Sequence, residues 1–181
     1  MQLANSKTRY GAGPQLIHWL TALFVIVGWS IGQFGEYLGP FDRIGFFFHM
    51  TLGEGVIALL ILRLLWRVAN PPPPIEPTPF GIIVKAAAHV GHFALYVLLI
   101  VVPFLGIIVQ LKRGHALPVF GLFELDSPWP ADRALARSIL AVHYYLANTL
   151  IVLAGLHACA ALAHHYLWRD RTLVRMLPGA K

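Results

Sequence analysis

Long apolar stretches, each broken by a few polar or small residues, dominate the chain. They run over about 15–35, 45–67, 88–110 and 140–167, and each satisfies the rule of roughly 20 apolar residues per hydrocarbon-core crossing. Two breaker-rich connections separate them. One is Asn70-Pro71-Pro72-Pro73-Pro74 with Pro77 and Pro79; the other is 111–138, with Gly114, Pro118, Gly121, Pro128 and Pro130. The proline run lacks backbone donors and prefers extended geometry, so it is expected to be a stiff spacer. The longer connection is expected to cap one end of the bundle or to receive a substrate. The pattern predicts an all-α membrane protein, a four-transmembrane-helix bundle forming a single domain over 1–181. Pro103 is expected to kink the third span, which a membrane bundle tolerates. Gly28 and Gly32 make a small-xxx-small pair that admits a neighbouring helix or a flat ring.

Composition agrees with the pattern. Of 181 residues, 57% are hydrophobic and 12% charged, and mean hydropathy is +0.66; soluble domains carry about 25% charged residues. Lys7 and Arg9 precede the first span as in a signal peptide. That span exceeds the ~7–15 apolar residues of a cleaved signal, and Ser30-Ile31-Gly32 matches a cleavage site poorly, so an uncleaved anchor is expected. Cys159 is the single cysteine. That excludes an intrachain disulfide, an iron–sulfur cluster and covalent haem attachment through CxxCH.

Charge sets an expected orientation. Four helices place both termini on one side, together with the 68–87 connection. That side carries Lys7, Arg9, Arg63, Arg67, Lys85, Arg169, Arg171, Arg175 and Lys181; the other carries Arg43, Lys112, Arg113, Arg133 and Arg137. The positive-inside rule then makes both termini cytoplasmic. The net charge of +6 follows largely from this bias. The basic residues hug span ends and form no stripe for nucleic acid.

Histidines are the candidate chemistry. An ionisable side chain at membrane depth is costly and faces a bundle interior or a cofactor. His143 and His157 are 14 residues apart on the fourth span, which puts them within ~40° of one face and ~21 Å apart along it. Helix direction supplies partners. His18 starts the first helix on the terminal side, and His49 lies near the start of the second on the opposite side. Depth therefore pairs His18 with His157, and His49 with His143. Two imidazoles per centre, without thiolate or carboxylate, suit a six-coordinate haem iron better than structural zinc, which wants four protein ligands.

Other residues leave alternatives open. His89 and His92 share a face at the start of the third span, and His164 and His165 follow His157. All four suit an interfacial position, and geometry alone does not separate His89 or His92 from the inner ligand role. Histidine also titrates near neutrality, so these residues could bond or protonate a quinone headgroup. His115 is expected to be solvated. Glu54, ~7.5 Å inward from His49, suits a proton path or an interhelical hydrogen bond equally. Arg63 and Arg67, one turn apart, suit interfacial anchoring or pairing with haem propionates. Trp19, Trp66, Trp168, Tyr10 and Tyr166 fit an aromatic belt.

The chain resembles the bacterial cytochrome b561 family, specifically its small four-helix di-haem members, over nearly its whole length. The resemblance rests on Ile17-His18-Trp19, His49 followed by Arg63-x-x-x-Arg67 and the proline loop, Gly91-His92, His143 with Ala147-Asn148, and Gly155-Leu156-His157-Ala158-x-Ala160-Ala161-Leu162-x-His164-His165. It implies two non-covalent haems b: an inner one on His18 and His157, an outer one on His49 and His143. That demotes His89 and His92 as ligands. It further implies a multi-pass protein of the bacterial inner membrane that moves electrons to ubiquinone. In the members it most resembles, superoxide is oxidised to oxygen at the outer face and quinone is reduced near the inner haem, where His164 matches. His89 and His92 are further candidates for the quinone site. Glu54 stands where that family pattern predicts a neutral residue. Outer acids (Glu36, Asp42, Glu54, Glu124, Asp126, Asp132) outnumber the bases, so attraction of an anion must be local, around Lys112 and Arg113.

The leading expectation is thus a superoxide:quinone oxidoreductase, working alone or as a homodimer in membrane lipid. The alternative is a cytochrome b anchor relaying electrons between a partner dehydrogenase or hydrogenase and quinone. A non-redox transporter bundle is disfavoured by the lack of an acidic pathway or broken-helix pair.

Overall fold

The computed structural model of the chain describes residues 2–76 and 81–179. Pro77 and Pro79 of the proline loop, and Lys181 of the basic tally, lie outside the described residues. Among the described residues four helices are long and apolar enough to cross a membrane: α1 Ala12–Phe34, α2 Asp42–Ala69, α3 Gly81–Lys112 and α4 Arg133–Tyr166. α2 and α3 cover their expected spans and α1 and α4 all but the last residue of theirs, and all four overrun at one end or both, because the ends of a spanning helix continue through the headgroup layer where polar side chains are cheap. The overrun is largest at the start of α3, at Gly81 instead of about 88, and of α4, which begins at Arg133 instead of about 140. Asp132 caps it, its carboxylate accepting from the Leu135 N–H at 2.9 Å, a bond that relieves an orphan donor of the first turn. Pro14 sits in the first turn of α1, where its missing N–H costs nothing. Pro103 lies inside a continuous α3.

Up-and-down connectivity makes the helices antiparallel neighbours and puts both chain termini at one end, the terminal end. α1 packs closely on α2, α3 on α4, and α2 on α3, whereas α1 and α4 meet sparsely. Val56, Leu60, Leu99, Val102 and Leu150 form the buried core where the two helix pairs join. Leu150 is midway between His143 and His157 on α4, so this apolar layer separates two histidine storeys.

The long connection at the other end is more ordered than its glycines and prolines announced. β1 (Leu117–Val119) and β2 (Phe123–Leu125) pair antiparallel, with Leu117 opposite Leu125 and Val119 opposite Phe123. Leu122 N–H donates to the Val119 carbonyl at 2.9 Å across Phe120 (φ 49°) and Gly121 (φ 69°). Two successive left-handed residues are the signature of a type I′ hairpin turn. A phenylalanine in that region costs about 1–2 kcal/mol. The Glu54 carboxylate offsets the cost by accepting from the Phe120 N–H at 2.7 Å. A Cβ at Gly121 would stand 2.7 Å from the Phe47 ring, so only glycine lets the turn lie against α2. The hairpin therefore folds back onto the bundle mouth.

The terminal end is closed by three segments. Buried Arg175 donates to the Pro74 carbonyl at 2.9 Å and pairs with Glu76 at 3.1 Å, while its own carbonyl accepts from Gln15 at 3.1 Å. Trp19 donates to the Met176 carbonyl at 2.9 Å, Arg9 to that of Leu177 at 2.9 Å, and Asn5 to that of Asn70 at 3.0 Å. The proline loop is more than a spacer: it supplies acceptors to the C-terminal segment.

Candidate functional site

The structure brings together both depth-derived histidine pairs. His49 and His143 have ring centroids 6.1 Å apart, and His18 and His157 6.2 Å. An iron bound through two imidazole nitrogens at about 2.0 Å each puts the ring centres roughly 6.3 Å apart, since each centre lies about 1.1 Å behind its nitrogen. Both pairs match that spacing. His92 lies 5.3 Å from His157, about 1 Å short of it. His89 turns Nδ1 to the Lys85 carbonyl of its own helix at 2.7 Å.

The hairpin-end pair is oriented by one device used twice. His49 Nδ1 bonds the Gly28 carbonyl at 2.8 Å, and His143 Nδ1 bonds the Val102 carbonyl at 2.9 Å. A carbonyl only accepts, so each Nδ1 carries the proton and each Nε2 keeps its lone pair for a metal. Each carbonyl also serves the helix N–H four residues on, at Gly32 and Gly106. Those are the glycines whose absent Cβ admits the ring: at Gly32 a Cβ would stand 2.8 Å from His49 Cε1, and at Gly106 3.3 Å from that of His143. At Gly28 a Cβ would stand 3.7 Å from Leu52 Cβ, so the small-residue pair serves helix packing and an imidazole together.

Family membership follows from comparison with known proteins. Residues 9–179 match the prokaryotic cytochrome b561 family. The chain belongs to that family. It is 39% identical over 166 residues to a probable superoxide oxidase CybB of Yersinia pestis, covering 90% of this chain and 92% of that protein. It is 33% identical over 182 residues to cytochrome b561 homolog 2 of Escherichia coli K12 (98% and 95% covered), and 27% identical over 168 residues to cytochrome b562 of Cereibacter sphaeroides (89% and 90%). This b561-type cytochrome is accordingly a multi-pass bacterial membrane protein of electron transfer, and haem b is the cofactor its family implies.

The residues present fit haem. At the hairpin end, His49 and His143 open onto an apolar cleft also lined by Phe24, Trp29, Met50 and Ile107, as a flat hydrophobic macrocycle requires. At the terminal end, Arg63 Nη2 and Trp66 Nε1 are buried donors without a partner among the described residues. Buried donors are rarely left unpaired, and a haem propionate is an acceptor of the right charge. Gly13 makes room for Trp66: a Cβ there would stand 2.7 Å from its ring. Spacing singled out Arg63 and Arg67; the aromatic-belt pattern gave Trp66 no such prominence. Tyr10 closes the same region, and burial raises its phenol above the ordinary value against the pull of Arg175, Arg67 and Arg63.

Charges at the hairpin end are arranged differently from their sequence order. Lys112 lies 5.1 Å over the Trp129 ring. Arg113 lines the histidine cleft and also walls a second, basic pocket with His115, Arg133 and Arg137. Three of these four are one turn or less from a helix end, and sequence distance hid their convergence. Glu54, buried in the cleft wall, bonds the hairpin, and its Oε1 has no partner among the described residues.

At the other end, His164 Nδ1 meets the Asp170 carboxylate. Burial alone would push that carboxyl up, but the bonds from His164 and Thr172 outweigh it and hold Asp170 below the ordinary carboxylate range. In the sequence His164 suits an interfacial or quinone-facing position, and nothing there marks Asp170. A histidine six residues before an aspartate past a helix end is a weak signal without the chain reversal between them.

Proposed function

We propose that the chain carries two haems b, one between His49 and His143 and one between His18 and His157, and transfers electrons from superoxide at the hairpin end to ubiquinone at the terminal end. Both termini face the cytoplasm in this reading, and the membrane is the bacterial inner membrane. One observation carries it: an imidazole pair at 6.1 Å and another at 6.2 Å, each using α4, ~21 Å apart along that helix. Haem bound by these two imidazole pairs would supply one-electron redox chemistry. Per turnover two superoxide anions give up one electron each and leave as oxygen, and one quinone takes two electrons and two protons to become quinol.

The residues divide this work. His49 and His143 would hold the outer haem through Nε2, their rings fixed by the Gly28 and Val102 carbonyls. The pocket of Arg113, His115, Arg133 and Arg137 attracts the anionic donor, and Arg113 borders the histidine cleft as well. Its attraction is local, since salt screens charges beyond about 8 Å. Lys112 adds positive charge at the rim. Arg63 and Arg67, with Trp66, neutralise and bond the inner propionates. His164 bonds the quinone, with His89 and His92 on the neighbouring helix face. The similarity to a protein named as a probable superoxide oxidase supports the choice of donor.

Stopped-flow mixing of the purified di-haem protein with superoxide tests the proposal. Superoxide should reduce the haems, and ubiquinone should reoxidise them; Arg113→Glu should slow the first phase about tenfold and flatten its salt dependence. Haems that stay oxidised in superoxide would replace this reading with a relay subunit for a dehydrogenase or hydrogenase. Alanine at His49 or His143 should remove one haem and at His18 or His157 the other; full retention in all four overturns the ligand assignment.

A further inference from the structure

α4 runs on past His157 to His164. Seven residues turn the helix through ~700°, which returns the side chain to within ~20° of the same face, ~10.5 Å nearer the terminal end. His164 thus follows the inner pair on its own face. Beyond it the chain reverses through Arg169, which is left-handed (φ 55°), and the Asp170 N–H donates to the His164 carbonyl at 3.1 Å. That reversal lays the Asp170 carboxylate on the imidazole. Its Oδ2 accepts from Nδ1, and its Oδ1 accepts from the Thr172 N–H at 2.8 Å. The Thr172 hydroxyl lies 3.4 Å from Nδ1, and the Trp168 ring meets the imidazole edge-on at 4.4 Å. Both His164 and Asp170 are 13% exposed, and the segment is pinned downstream by Gln15 and Trp19. Among the described residues Asp170 is the one charged group bonded to His164. α1 presents neutral Gln15 and Trp19 to this segment, and His165 turns to Tyr166, with ring centres 4.7 Å apart.

A carboxylate fixed by a backbone N–H and set on Nδ1 locks a histidine's tautomer and ring orientation and leaves Nε2 as the nitrogen that exchanges a proton. We propose that Asp170 is a positioning residue that holds His164 as the proton donor to the quinone reduced at the terminal end. The inference rests on the quinone reading above. The electrons come one at a time from the inner pair; of the two protons in quinol, one leaves Nε2 of the His164 imidazolium for a quinone oxygen and is replaced from water. Asp170 stabilises the imidazolium and keeps the Nδ1 proton in place.

The test is Asp170→Asn in the haem-loaded protein, reading quinone-dependent haem reoxidation against pH. Haem spectra should be unchanged and reoxidation about tenfold slower at neutral pH, with the alkaline limb of the profile altered. Asp170→Glu should restore most of the rate. In ¹⁵N-histidine spectra, His164 should hold its proton on Nδ1 in the wild type and lose that preference in Asp170→Asn. An unchanged profile, or an equal loss at every pH, overturns the proposal. Should Asp170→Asn lose its haems, His164→Gln decides: the limb must vanish, and a retained limb overturns the assignment. Wild-type protein that superoxide reduces but ubiquinone fails to reoxidise instead sinks the quinone reading beneath it.

Discussion

Replacing Gly32 by alanine probes the imidazole seat with the smallest possible change. The added Cβ would stand 2.8 Å from His49 Cε1 and 3.1 Å from Nδ1, whereas carbon atoms in contact settle near 3.5–4.0 Å. The ring must therefore retreat by about 0.7 Å. Its 2.8 Å bond to the Gly28 carbonyl would stretch to roughly 3.5 Å, where a hydrogen bond is largely lost. That bond contributes about 1 kcal/mol, and overpacking adds about 1–3 kcal/mol. Together they weaken the outer seat by about 2–4 kcal/mol, roughly 30- to 1,000-fold in affinity for the ligand it holds. Gly28→Ala is the control, since its Cβ would only touch Leu52 at 3.7 Å, an ordinary contact. Haem-to-protein ratio and a two-component redox titration provide the assay. Gly32→Ala should lose or shift one component and keep the other, while Gly28→Ala keeps both. Two unshifted components in Gly32→Ala would refute the argument, as would equal damage from Gly28→Ala.

Three further outcomes are expected. Glu54→Ala should release the hairpin by about 1–2 kcal/mol, the loss of one charge-assisted bond offset by relief of a buried carboxylate; faster hydrogen exchange at Phe120 and Leu122 with haem content unchanged is the signature, and unaltered exchange would show that Phe47 packing alone holds the turn. Arg175→Met should cost about 1–3 kcal/mol by parting the ion pair with partly exposed Glu76 and freeing the Pro74 carbonyl, read as faster proteolysis near Leu177; a tail that stays resistant would assign its docking to Trp19 and Gln15. The Asp170 carboxyl is held below its ordinary value of 3.8, so its ionised form contributes stability in full above that value and loses it as pH falls through the lower native one. The melting-temperature gap between wild type and Asp170→Asn should be open at pH 5 and close below about 3.8; a gap still fully open well below 3.8 would discard the pairing.

Much of this architecture was legible in residue order because a bilayer leaves few choices. Backbone groups in hydrocarbon must bond within their own helix, so four apolar runs mean four helices, and their direction assigns every histidine a depth. Helix direction and the rise per residue suffice to put His18 level with His157 and His49 level with His143, though they leave His89 and His92 at the inner depth as well. The start of α4 was misjudged by several residues because Arg133, Arg137 and Ser138 lie on helix beyond the apolar run, where hydropathy has no signal and the Asp132 cap does. The hairpin was missed because three-residue strands carry too little alternation to register.

What the sequence determined alone is thus whatever depends on distance along one helix: the spans, the two storeys, and the shared face of His143, His157 and His164. Contacts between elements were decided only by the tertiary structure. Gly32 and Gly106 became imidazole seats because a facing helix puts a ring where their Cβ would be. Glu54 became a hairpin clasp, Arg113, His115, Arg133 and Arg137 one pocket, and Asp170 the partner of His164. In each case the chain crosses a turn or a helix interface between the partners, and the geometry of that crossing follows from packing and backbone reversal, to which hydrophobic periodicity is blind.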